Sequence, residues 1–508
     1  MFAQVFGETI QGIDGILVSV EVDVSNGLPA FDIVGLPTLA VRESRERVKA
    51  ALRNSNISYP MTRITVNLAP ADQKKEGSGL DLPIAVGIMV SAHHIEQAVT
   101  KGKTFIGELS LDGGIRKVTG VLPMIIDAKR CGAKEVFIPK DNAPEGKLVS
   151  GIEVYTPENL DQLLKHLRGY EKLAPLPKEK IICNKNVQYH EDFADVKGQL
   201  VARRALEIAA AGGHSVLMVG APGCGKTMLA RRLPSILPAM TEAEALEVTK
   251  IYSVCGELPP GETIRLERPF RSPHHSISGS ALLGGGSIPR PGEVTLSHNG
   301  VLFLDELPEF ERNTLEMLRQ PLEDGVVNIS RVRANMCFPS RFNLVCAANP
   351  CPCGYLGDTI QRCSCKSREI EAYHRKISGP LLDRMDMQIN LVRVEYNDLK
   401  EKRKGECSAT IRARVTAARK IQLKRFKGTN IFCNAQMGRR EVVEYCALDA
   451  EAQMLMEKYF AALHLSARSH DRILKVARTI ADLAGEENIT SKHLAEAIQL
   501  RTSINKMQ

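Results

Sequence analysis

The chain has 508 residues, enough for about three domains, and its 44% hydrophobic and 25% charged residues are the balance of a globular protein. A net charge of +8 is a modest basic excess that permits an acidic partner without requiring one, and the lack of Trp with 5% aromatic residues argues against base stacking as the main grip on nucleic acid. Thirteen cysteines, an odd number, fit a reducing cytoplasm with free or metal-bound thiols better than a secreted disulfide framework.

The opening MFAQVFGETIQGIDG has no basic n-region, so no secretion signal is expected. Residues 1–170 read as an α+β unit. ILVSVEVDVSNG (Ile16–Gly27) alternates as a strand does before an Asn-Gly turn, and VRESRERVKAALRNS (Val41–Ser55) is a charged amphipathic helix. RITVNLAP (Arg63–Pro70) is a strand running into the loop KKEGSGLDLP (Lys74–Pro83). The apolar run Leu82–Ala92 is too short to span a bilayer, and no membrane partner is expected. Gly107–Gly132 and Glu135–Asn142 then supply a hairpin, a helix and a strand. This order, and the wording of Gly107–Asn142, resembles the proteolytic domain of Lon-type proteases, a ribosomal protein S5 domain 2-like fold. The resemblance implies a Ser-Lys dyad, but the serine position falls at Gly79, with Ser78 one residue away, and the lysine position falls at Leu122. An alkyl side chain cannot take the proton of a serine. A Lon-like fold without the protease is expected, followed at 171–190 by a connection carrying prolines and lysines.

The segment 191–400 carries the chemistry. DVKGQLVARRALEIAAAGG (Asp195–Gly213) is a loop and helix in which Val196, Lys197 and Gly198 are candidates to face a base. Next, SVLMVGAPGCGKTMLARRL (Ser215–Leu233) is an apolar strand, a glycine-rich turn and a helix, and fits the phosphate-loop pattern G-x-x-x-x-G-K-[ST]. Its binding stretch is Gly220, Ala221, Pro222, Gly223, Cys224, Gly225, Lys226, Thr227 and Met228. Glycines let backbone N–H groups point at phosphate oxygens, Lys226 reaches the β and γ phosphates, and the Thr227 hydroxyl is a hard ligand for Mg²⁺. ATP and Mg²⁺ are therefore the expected cofactors. In GVLFLDELPEF (Gly300–Phe310) a buried strand ends in Asp305, for the Mg²⁺ shell, and Glu306, to polarise the attacking water.

Further along, FNLVCAANP (Phe342–Pro350) ends in Asn349, which matches the sensor-1 position of AAA+ ATPases. ISGPLLDRMDMQINL (Ile377–Leu391) places Arg384 between two aspartates. It resembles the finger that an AAA+ subunit inserts into its neighbour's site, and the alternative is an ion pair with Asp383 or Asp386. Two inserts, Arg268–Gly300 and Glu323–Leu344, resemble the helix-2 insert and pre-sensor-1 hairpin of the group that includes magnesium chelatases. Arg331 and Arg333 on the second are candidates for DNA phosphate contacts, against the alternative of a solvated hairpin face. His274 and His275, adjacent on an extended segment, are expected to point apart and not to chelate easily unless a turn intervenes. CPCGYLGDTIQRCSC (Cys351–Cys365) offers Cys351, Cys353, Cys363 and Cys365 as thiolates for a structural Zn²⁺, or as reduced thiols near the surface.

The C-terminal 401–508 reads as a helical lid. Glu401–Gly428 is strongly basic, and Arg468 matches the sensor-2 position, with Arg472 as the fallback. These motifs together resemble the magnesium-chelatase-like AAA+ family known as ComM or YifB, over nearly the whole chain. The resemblance implies an α/β P-loop ATPase behind a Lon-like domain, forming a homo-hexamer that drives branch migration or unwinding of DNA in recombination and natural competence. A chelatase-type motor subunit and an ATP-dependent protease are the other readings.

Overall fold

The computed structural model describes residues 1–179, 189–259, 262–286, 289–331, 334–358, 360–393, 405–462 and 466–502. The chain divides into two compact units, Met1–Cys183 with Thr241–Arg265, and Asn184–Met240 with Leu266–Gln508.

The first unit is built on a seven-stranded sheet. Its strands are β1 (Phe2–Gln11), β2 (Asp14–Ser25), β3 (Ala30–Val34), β4 (Arg63–Ala69), β5 (Lys103–Phe105), β6 (Glu135–Phe137) and β7 (Glu153–Tyr155). They lie in the order β3-β4-β2-β1-β5-β6-β7. Alternation sets the inward face, with Val18, Val20 and Val22 of β2 fully buried. Against that face lies the helix Asp81–Ser91, every residue of which is buried. Gly87 permits the close approach, because a Cβ there would sit 2.6 Å from Val22 Cγ2.

A linear division of the chain does not contain one feature of this unit. The helix Glu242–Cys255 leaves the ATPase segment and packs here, opened by a capping box between Thr241 and Glu244. Leu246 and Ile264 cover the cluster formed by Val121, Leu122 and Ile125. Ser253 donates from its hydroxyl to Glu145, and its carbonyl accepts from Gly120 N–H at 3.0 Å.

The second unit holds a five-stranded sheet, all of whose described pairings are parallel. Its strands are β8 (Val216–Gly220), β9 (Phe270–Arg271), β10 (Val301–Leu304), β13 (Asn343–Ala348) and β14 (Met387–Leu391), with the hairpin β11 (Val326–Arg331) and β12 (Ala334–Pro339) inserted before β13. The order is β9-β10-β13-β8-β14. Strands β8 and β10 are buried at every position, as near-continuous apolar runs flanked by other elements must be. Helices Ser408–Arg425, Ala450–Ala462, Ala467–Ala484 and Ser491–Thr502 follow the sheet. The fold is an α/β AAA+ core with a helical C-terminal region, preceded in the sequence by a Lon-like α+β unit. No described helix is long and apolar enough to cross a membrane.

Gly87→Ala should destabilise the first unit by about 1–3 kcal/mol, because β2 and the helix must part to admit the methyl group. The measurement is its urea unfolding midpoint; an unchanged midpoint would mean that Val22 yields freely.

Candidate nucleotide-hydrolysis site

Strand register assembles the site. Val219 pairs with Ala348, and Leu304 pairs with Cys346, so Gly220, Asp305 and Asn349 all leave the sheet at its C-terminal edge. There the phosphate loop turns through Gly223 and Gly225, at φ 80° and 91°, which only glycine adopts cheaply. Lys226 opens the next helix, and its Nζ donates to Gly220 O at 2.7 Å, Ala221 O at 3.1 Å and Asn349 Oδ1 at 3.1 Å. Burial pushes the Lys226 pKa below that of an ordinary lysine, with Cys224, Asp305 and Glu306 working the other way. An ammonium held by neutral carbonyls is poised to exchange them for phosphate oxygens. Thr227 Oγ1 donates to Asp305 Oδ2 at 2.7 Å. A hydroxyl and a carboxylate in contact are the hard oxygen donors that Mg²⁺ takes beside a triphosphate.

Glu306 follows at φ 51°, a left-handed backbone uncommon for a residue with a side chain, and its N–H donates to Asp305 Oδ1 at 3.0 Å. The twist separates the two carboxylates into different directions, one to the threonine and one outward. Glu306 Oε2 lies 3.5 Å from His275 Nδ1. This contact was not legible in the sequence, and His274 and His275 do not point apart, because the turn that would prevent it is present. A turn closed by Ile277 N–H to His274 O at 3.0 Å brings the two rings to 4.0 Å between centroids. The signal available in the sequence was only that the insert precedes the strand bearing Glu306.

Gln199 is a second unforeseen contributor. Its Nε2 donates to Cys224 O at 3.2 Å and Val392 O at 2.5 Å, tying the phosphate loop to the end of β14. Of the residues expected near a base, Val196 is buried and Gly198 has φ 63°.

Arg384 is 5% exposed, and its guanidinium is engaged by Glu323 and by Pro380 O at 2.9 Å. An ion pair forms, with Glu323 and not with the flanking aspartates, and a finger role would require that pair to open. Asp386 instead accepts from Arg472 and from Ser215 N–H at 3.0 Å, with His214 Nδ1 3.4 Å away. Burial works against its charge, yet Arg472 and His214 hold the carboxyl well below the usual carboxylate range. Arg472, the fallback for sensor 2, is thus spent on Asp386, while Arg468 is exposed one turn earlier on the same helix.

The hairpin β11–β12 forms with Arg331 opposite Ala334. Arg333 lies outside the described residues. Its stem is anchored by the buried Val327 and Phe338. The basic helix Ser408–Arg425 buries Ile411, Val415 and Ala418. Several of its arginines are committed within the chain, Arg414 to Glu207 and Glu406, and Arg425 to Asp482. Cys351, Cys353, Cys363 and Cys365 converge, with all four sulfurs within 4.8 Å of one another, a group that could hold a metal ion. In the first unit, the Ser78 hydroxyl donates to Glu108, and Leu122 is buried at the head of the helix Val121–Arg130.

Lys226→Ala should weaken ATP binding about 10–100-fold by removing a charge-assisted contact, whereas Glu306→Gln should keep binding and lose about 10²–10⁴-fold in turnover. Fluorescent-nucleotide titration and phosphate release read the two separately. Arg472→Ala strands a buried carboxylate and should cost about 3–5 kcal/mol at neutral pH. Because the folded-state pKa of Asp386 is depressed, that contribution is present above about pH 4 and is lost as pH falls, so denaturation of variant and parent should converge in acid.

Family models match over most of the chain: magnesium chelatase subunit ChlI at residues 192–399, subunit ChlI of Mg-chelatase at 20–142, and the ChlI C-terminal model at 405–501. Competence protein ComM of Haemophilus influenzae is 44% identical over 100% of this chain and 98% of its own length. YifB of Escherichia coli is 42% identical over 96% of this chain and 95% of its own. Over 30% of each chain, Lon protease 2 of Bacillus subtilis is 28% identical. A phosphate loop beside Asp305 and Asn349 at one edge of a parallel sheet, with a Lon-like unit preceding it in the sequence and relatives matching end to end, places the chain in the ComM/YifB family of magnesium-chelatase-like AAA+ ATPases.

Proposed function

We propose that the chain is an ATP-hydrolysing DNA motor, working as a homo-hexamer in the cytoplasm and driving branch migration or unwinding during recombination and natural transformation. The observation that carries the reading is where the hairpin sits. It is inserted between Glu306, at the end of β10, and Asn349, at the end of β13, and its second strand runs from Ala334 to Pro339 directly before β13 begins at Asn343. Any shift of either residue as the γ-phosphate is cleaved is therefore delivered to the base of a two-stranded lever. In the sequence, the stretch RVR that joins the two strands carries Arg331 and Arg333, basic residues suited to phosphates of any sequence. The name of the Haemophilus relative as a competence protein supports DNA as the polymer moved.

In this reading Lys226 and Thr227 hold the triphosphate and its Mg²⁺ with Asp305, Glu306 orients water, and Asn349 senses the γ-phosphate. Arg384 serves the neighbouring subunit after parting from Glu323, and Arg468 closes the lid on the nucleotide. Along the chain, a Lon-like domain at 1–170 and a connection at 171–190 precede the ATPase core at 191–400, whose segment Thr241–Arg265 packs with the first unit, and the lid at 401–508. The Lon-like unit serves assembly or binding. A peptidase role is disfavoured because Ser78 is bonded to a carboxylate and Leu122 fills the lysine position.

The test is ATP hydrolysis and strand exchange on a branched DNA junction, with Glu306→Gln as control. Stimulation by junction DNA with ATP-dependent branch migration is expected. Arg331→Ala and Arg333→Ala should each lower the salt slope of DNA binding by about one. Turnover indifferent to DNA and no migration would leave the chelatase-type motor as the better reading.

A further inference from the structure

We propose that Cys351, Cys353, Cys363 and Cys365 bind one Zn²⁺ as a tetrathiolate, and that this knuckle is the strut that holds Asn349 and the phosphate loop in register for hydrolysis. The second half rests on the reading of the site as hydrolytic; the first does not.

The geometry of the sulfurs fits the ion. Zn–S bonds of about 2.3 Å at tetrahedral angles separate the sulfurs by about 3.8 Å. Cys351 Sγ lies 3.3 Å from Cys353 Sγ and 3.6 Å from Cys363 Sγ, and Cys353 and Cys363 are 3.6 Å apart. Four sulfurs drawn to one point, none joined in a disulfide, are the ligand set of a closed structural site. A backbone donor completes it. The Cys353 N–H donates to Cys365 Sγ at 3.3 Å. Such a bond stabilises a thiolate and fixes its direction, as outer-shell partners of a bound metal do. Softness excludes Mg²⁺ and Ca²⁺, leaving Zn²⁺ or a mononuclear iron as the ions for an S₄ tetrahedron.

Position gives the site its role. Asn349, whose Oδ1 receives Lys226, is two residues from the first ligand, Cys351. Gly354, between the second and third ligands, has φ 86°, and a Cβ on it would come within 2.7 Å of Pro222 Cδ in the phosphate loop and 3.9 Å of Asn349 Cγ. A side chain at this one position of the knuckle would thus crowd Pro222 and come to van der Waals distance of Asn349. The segment is braced from the far side too, since His374 Nε2 pairs with Pro350 O at 2.9 Å. Within the knuckle, between its two cysteine pairs, Asp358 forms an ion pair at 3.1 Å with Arg393, two residues past β14. A run this poor in regular structure has few other means of keeping Gly354 on Pro222, and coordination that releases the thiol protons to solvent supplies one.

The experiment uses the full chain purified without chelator. Metal analysis should give one zinc per chain, and Co²⁺ exchanged in its place should show thiolate-to-cobalt charge transfer with tetrahedral d–d bands. Absence of zinc, stoichiometric iron, or an octahedral cobalt spectrum overturns the assignment, and none of these readings depends on DNA or on turnover. Cys363→Ser should lose the metal; retention of a full equivalent also overturns it. Gly354→Ala keeps all four ligands, and is expected to keep its zinc while losing tenfold or more in ATP turnover. Full turnover with zinc retained refutes the strut. A parent that carries zinc but hydrolyses no ATP refutes the hydrolytic reading and leaves the zinc site standing.

Discussion

Parallel pairing of β8 with β13 and of β13 with β10 is the constraint on which the site depends. Those registers place Gly220, Asp305 and Asn349 at one edge, so Lys226 meets Asn349 at 3.1 Å and Thr227 meets Asp305 at 2.7 Å. A slip of one residue would turn each side chain to the opposite face of the sheet and disperse the group. Burial of β8 and β10 on both faces resists such a slip, since every position would exchange one apolar neighbour for another at a cost in packing. The chemistry therefore rests on the core, and the loops supply the details.

Some of those details are preorganised before nucleotide arrives. Lys226 already faces the loop carbonyls, and burial has lowered its pKa. Glu306 is held apart from Asp305 by its left-handed backbone and lies near His275. The core is joined to the C-terminal helices by Asp386, where Arg472 reaches back from Ala467–Ala484 and Arg501 donates to Met385 O. That joint lies on the residues flanking Arg384, whose own carbonyl accepts from Arg472 at 2.7 Å. Movement of the helices is thereby tied to the segment that carries Arg384.

The parts legible in the sequence were those fixed by local rules. A phosphate loop needs its glycines and lysine consecutively, and an apolar run ending in Asp-Glu needs only strand periodicity, so Gly220–Thr227, Asp305 and Glu306 could be read directly. Asn349 was legible because it ends the next apolar run. Partners chosen by tertiary packing were not. Arg384 could be flagged as an ion-pair former, but Glu323, sixty-one positions away, carries no local mark. The pairing of His275 with Glu306 depends on a turn, and the move of Glu242–Cys255 into the first unit depends on a surface made by Leu122 and its neighbours. The convergence of the four cysteines lies between: two C-x-C pairs are visible, yet only the fold shows all their sulfurs within 4.8 Å.

We propose that hydrolysis at this site moves DNA. The most direct measurement is displacement of streptavidin from biotin-tagged DNA by the full chain, timed against ATP consumption. The account predicts displacement that requires ATP, stops in Glu306→Gln and proceeds in step with hydrolysis. Vigorous hydrolysis in the presence of DNA, with the streptavidin left in place on either strand, would contradict it.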